Sequence, residues 1–117
     1  MKDKLFKKAI AWAEKKGFKE IKANFDEFET PSALKTIDDD KVIIPDITAK
    51  SLGNKSYIEI AIKEDNKQQL ISKWKLFCTL AAMKGGKLYL LAARGHKTFA
   101  DKIVKDYNLQ HTKVVSI

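Results

Sequence analysis

The chain has 117 residues, of which 44% are hydrophobic and 32% charged, and it carries a formal net charge of +8. That length holds one domain without room for a second core, and the ordinary globular balance can bury a core without disulfides or a structural metal. The single cysteine, Cys78, excludes an intrachain disulfide, and no run approaches the ~20 apolar residues of a membrane span.

Asp3 precedes an amphipathic run over 4–16 in which Leu5, Ala9, Trp12 and Ala13 recur at helical spacing, and Gly17 supplies a stop. Lys7, Lys8 and Glu14 interrupt its apolar positions, so it lacks the core of a signal peptide, and the protein is expected to be cytoplasmic. The stretch from Phe18 to Phe28 alternates loosely, as a strand does. The segment ETPSALKTIDDD then reads as a loop, with Pro31 and the solvated run Asp38, Asp39, Asp40.

Two strands follow: Lys41 to Lys50, containing VIIPDIT, and Ser56 to Lys63, reading SYIEIAIK. SLGNK between them carries the tight-turn signal. A second helix is expected from about Asn66 to Lys84. Leu70, Ile71, Trp74, Phe77, Cys78, Ala81 and Ala82 form its apolar stripe, and Gly85-Gly86 its end. KLYLLAA is apolar on both faces, the pattern of a buried central strand. Arg94-Gly95-His96 leads into a third helix bearing Phe99, Ile103, Val104 and Tyr107, and HTKVVSI is a short last strand.

The order α-β-β-β-α-β-α-β defines a single α/β domain. The hairpin makes part of its sheet antiparallel, and the later β-α-β unit adds a right-handed parallel crossover, so the sheet is mixed.

Within the hairpin, alternation sets Ile58, Ile60 and Ile62 on one face and Glu59 on the other, and sets Asp46 opposite Ile43, Pro45 and Ile47. A two-residue turn at Leu52-Gly53 pairs Asp46 directly with Glu59. A turn at Gly53-Asn54 pairs Asp46 with Ala61 and leaves Glu59 diagonal. Either register keeps the two carboxylates on one face within ~8 Å at Cβ. Two like charges so close need neutralising. A divalent ion such as Mg²⁺, which one or two carboxylates commonly hold, is one solution. Pairing of two exposed acids with neighbouring lysines is the other.

IPDIT, the thirteen-residue step from Asp46 to Glu59, YIEIAIK and the lysine-rich helix after it together resemble the PD-(D/E)XK nuclease superfamily. The element order is similar to that family's αβββαβ core with an appended helix and strand, which implies a restriction-endonuclease-like fold. The resemblance implies that Asp46 and Glu59 bind Mg²⁺ or Mn²⁺ and that the activity is phosphodiester hydrolysis in DNA. The family motif has lysine two residues after the second acid, where this chain has Ala61. Variants of the family recruit that lysine from elsewhere. Lys63 on the same strand, Lys73 on the following helix and Lys50 nearer the turn are the candidates, with Lys63 slightly preferred. By the same resemblance Gln69, with Gln68 beside it, would position water or the scissile phosphate, and Glu14 is the acid available from the first helix.

A basic chain makes nucleic acid the first partner to consider. Arg94 is the only arginine, and lysine meets phosphate as a point charge, so backbone contact is expected over base readout. Family analogy adds a homodimer, since two cuts need two sites. Two alternatives stand beside the nuclease: a nuclease-fold domain that has lost catalysis and binds nucleic acid or a protein, and an interaction protein whose charge is incidental. His96 and His111 lie in different elements without metal-ligand spacing, so zinc is not expected. Cys78, Trp12 and Trp74 read as packing residues, and Gly85-Gly86 lacks the context of a phosphate loop.

Overall fold

The computed structural model describes residues 2–35 and 41–117; Asp38, Asp39 and Asp40 lie outside the described residues. The elements are α1 (Lys2–Lys15), β1 (Lys19–Ala23), β2 (Leu34–Lys35), β3 (Val42–Ile43), β4 (Ile47–Ser51), β5 (Asn54–Ala61), α2 (Lys67–Met83), β6 (Gly85–Ala92), α3 (Lys97–Asp106) and β7 (Thr112–Ser116). Five strands form one mixed sheet in the order β1-β4-β5-β6-β7, and β2 and β3 form a separate ribbon. The pairs β1·β4 and β4·β5 are antiparallel, while β5·β6 and β6·β7 are parallel. The α/β class with a mixed sheet and three helices is therefore as expected.

Three local expectations change. The strand expected from Phe18 to Phe28 stops at Ala23, because the chain turns through Asp26 (φ 49°), with the Phe28 amide donating to the Phe25 carbonyl at 3.2 Å. The run 41–50 is split on either side of Pro45, which has no N–H to give a ladder. Its first piece pairs with Leu34–Lys35, from the segment read as loop. Gly85 and Gly86 do not merely end α2; they open β6. A Cβ on Gly86 would lie 1.9 Å from the Lys55 carbonyl oxygen, so the parallel strands approach there only with glycine.

The hairpin adopts the register in which Ile47 faces Ile58 and Ser51 faces Asn54. Leu52 (φ 53°) and Gly53 (φ 83°) form its two-residue turn, and two positive φ values match the I′ geometry that suits strand twist. Continued one step, this register sets Asp46 opposite Glu59.

Both faces of the sheet are covered. Phe6, Ala9, Ile10 and Ala13 of α1 pack on Ile47, Ala49, Ile58, Ile60 and Leu91. On the other face, Leu70, Trp74, Phe77 and Ala81 of α2, with Ala100 and Ile103 of α3, pack on Tyr57, Ala61, Leu88, Leu90 and Ala92. The second face is thus a second core, not solvent. Among the described residues no helix is long and apolar enough to cross a membrane.

Candidate active site

Asp46 and Glu59 belong to the face covered by α2, and they are buried, at 6% and 1% exposure. The reading of two exposed acids on a solvated face is therefore corrected: α2 closes over them. Each carboxylate is fastened to the backbone of the other strand. Glu59 Oε2 accepts the Asp46 amide at 2.6 Å, and Asp46 Oδ2 accepts the Ile60 amide at 3.0 Å. These crossed bonds continue the hairpin beyond its last ladder pair and fix both side chains.

Lys73 answers their charge. Asn66 caps α2, its side chain accepting the Gln69 amide at 3.3 Å. From this start Leu70, Lys73 and Phe77 follow at steps of three and four, so Lys73 lies on the rim of the buried stripe. Its Nζ is 3.3 Å from Glu59 Oε1. Burial lowers the Lys73 pKa, but the charges of Glu59, Asp46 and Glu64 and the hydrogen bond to Glu59 outweigh it, and the net value is raised above 10.5. Lys73 is therefore an ammonium at neutral pH, a charge stabiliser and not a base.

The other candidates are placed as follows. Lys63 lies past the end of β5 with an exposed side chain, and its amide donates to His96 Nδ1 at 2.9 Å. Lys50 stands at the turn end of β4, facing Lys55, with Nζ 3.6 Å from Glu20. Gln69 is exposed and its Oε1 accepts from the Asn66 side chain at 3.3 Å. Glu14 is exposed on α1, so the sheet separates it from Glu59. Ala61 is fully buried among Leu70, Trp74 and Tyr57, where α2 occupies the space a lysine stem would need.

A cleft of 640 Å³ lies between β3 and the first half of α2. Lys41, Glu64, Gln68, Gln69 and Lys73 contribute its polar lining, and Lys73 is the residue it shares with the acid pair. Sequence reasoning missed Glu64 and Lys41. The signal for Lys73 was available: a lysine three residues after one stripe leucine and four before a stripe phenylalanine has to find an anion or leave the core.

Among the described residues no group of three or more His, Cys, Asp or Glu side chains could hold a metal. The donors present are two carboxylates, an oxygen-only set that fits a hard cation completed by water and phosphate oxygens. No family model, curated protein or solved structure matches the chain.

Proposed function

We propose that the protein is a metal-dependent phosphodiesterase with a restriction-endonuclease-like arrangement, acting on DNA at Asp46, Glu59 and Lys73. The observation that carries this reading is the buried, crossed carboxylate pair with an ammonium 3.3 Å from one of its oxygens, supplied by the helix after a strand whose position 61 is alanine. Two acids buried side by side are costly for stability alone.

In this reading Asp46 and Glu59 would hold Mg²⁺ or Mn²⁺, which when bound would supply Lewis-acid charge at the phosphate. Asp46 and Glu59 keep fixed orientations because each accepts a backbone amide. Lys73, anchored by its stem on the rim of the α2 stripe, offers its ammonium donors to a phosphate oxygen or to the attacking water. The 640 Å³ cleft beside Lys73 gives the phosphodiester its approach, and Gln69 on its wall is within the same opening.

The test is cleavage of single-stranded, duplex and branched DNA with Mg²⁺ or Mn²⁺, comparing the wild type with Asp46→Asn and Lys73→Met. Activity in the wild type that both substitutions reduce by at least about a hundredfold is expected, the scale of lost electrostatic stabilisation. No cleavage of any substrate and no metal bound at this face would sink the proposal. The fastening of each carboxylate to a backbone amide, with Lys73 beside Glu59, favours one second reading, a domain that binds nucleic acid without cutting. Salt-dependent binding without cleavage, unchanged by Asp46→Ala, selects that reading.

A further inference from the structure

The α2-covered face of the sheet carries a second charged feature at the opposite end of the hairpin. Lys22 of β1, Lys50 of β4, Lys55 of β5 and Lys84 just after α2 surround a cleft of 530 Å³, with Glu20 and the buried Thr48 also in its lining. Lys22 faces Thr48 and Lys50 faces Lys55 across their strand pairs. The twist-matching turn at Leu52-Gly53 and the Gly86 approach therefore draw these lysines together.

Like charges gathered this way repel. Lys22 is offset by Glu29 at 3.1 Å and Lys50 by Glu20 at 3.6 Å, both on exposed side chains. Among the described residues neither Lys55 nor Lys84 has a carboxylate within ion-pair distance. Lys84 is helped by the negative end of the α2 dipole. Lys55 is held over the Tyr57 ring, its Nζ 5.4 Å from the centroid. Burial, followed by Lys84, Lys22 and Lys50, pushes the Lys55 pKa below its ordinary value. The cleft thus has positive potential that the chain itself only half balances, and an anion there relieves it.

Lys55 and Glu59 point to the same face of one strand, four residues or about 13 Å apart. Tyr57 is buried between them under Phe77 of α2, so a strand that reaches both places has to pass around α2. We infer that the four-lysine cleft binds the phosphates of a nucleic-acid strand whose reacting phosphodiester lies at the acid pair, several nucleotides away. A single phosphate cannot reach both places; a strand with a charge at every nucleotide can. The lysine cleft sets where along the strand the acid pair sits, and in this the inference rests on the phosphodiester reading above.

The test is fluorescence anisotropy of a labelled twelve-nucleotide single strand titrated with protein in EDTA across a salt series. Lys55→Gln with Lys84→Gln should weaken binding at low salt at least about tenfold and flatten the log–log salt slope by about 1.4, two phosphate contacts at about 0.7 each. Lys7→Gln with Lys8→Gln, equal in charge and on exposed positions of α1, should change neither by comparable amounts. Inorganic pyrophosphate should displace the strand only at far higher concentration. Equal effects of the two pairs, or pyrophosphate competing at equal phosphate concentration, overturn the inference. Absence of any strand binding also overturns it. Calorimetric titration with Mn²⁺ separates the two readings. Mn²⁺ binding that survives the lysine substitutions while strand binding is intact to them refutes the cleft alone. Lysine-dependent strand binding without Mn²⁺ binding refutes the metal site alone.

Discussion

Replacing Lys73 by Met keeps the length and apolar stem of the side chain and removes only the ammonium. Glu59, with 1% of its side chain exposed, then keeps its charge beside Asp46 without the cation 3.3 Å from Oε1. Removing one partner of a buried pair costs about 3–5 kcal/mol; the 25% exposure of Lys73 puts this case at the lower end, about 3 kcal/mol. For a domain of this size that is a fall in Tm of about 12 °C. Urea unfolding at neutral pH in EDTA reads the loss directly. Adding Glu59→Gln to Lys73→Met should recover about 2 kcal/mol, since the amide oxygen can still accept the Asp46 N–H and position 59 no longer carries a charge beside Asp46. The pair also has a pH signature. Because folding raises the Lys73 pKa from 10.5, its contribution is fully present below pH 10.5 and is lost as pH rises through the folded-state value. That alkaline loss should vanish in Lys73→Met. A cost under about 0.5 kcal/mol, with no recovery in the double variant, would refute the argument, because it is the size expected of an exposed pair.

Ala61→Lys, which completes the motif that the sequence resembles, should destabilise by about 3 kcal/mol in the same assay, since position 61 is fully buried under α2. It should not restore cleavage to Lys73→Met. Gly86→Ala forces a Cβ to 1.9 Å from a backbone oxygen, and a loss on the order of 4 kcal/mol or failure to fold is expected by circular dichroism. Leu52→Asn should stabilise by about 1 kcal/mol, because a fully exposed leucine holds φ 53° where asparagine is tolerated; an unchanged urea midpoint would refute the turn assignment.

The long-period elements were legible in the sequence because packing and local signals agree. The stripe from Leu70 to Ala81 and the Asn66 cap mark α2, and the alternation of SYIEIAIK marks β5. The turn residues narrowed the hairpin to two registers, and the structure selects the one with Leu52-Gly53 in the turn. What escaped was set by partners distant in sequence. Nothing local says that Leu34–Lys35 finds Val42–Ile43, since a two-residue strand has no periodicity to read. Alternation showed that Glu59 leaves the Ile58 face, but not that α2 would cover the face it joins. Lys63 and Lys73 were separable only by tertiary geometry: β5 ends before position 63, whereas α2 carries position 73 back over the acids. The lysine cleft gathers four elements and has no signature in any one of them.

The crossed bonds of Asp46 and Glu59 have a consequence for how this chain can change over generations. Each acid stands in for a rung of the ladder at the open end of the hairpin, opposite the turn. A slip of either strand by one residue would break both bonds and move that strand's acid to the α1 face. The pair therefore locks strand alignment whether or not any phosphodiester is cut. A descendant that gave up its chemistry would still be held to these two acids by its fold. Lys73 would be held with them, because its loss leaves Glu59 buried beside Asp46 without the cation 3.3 Å away.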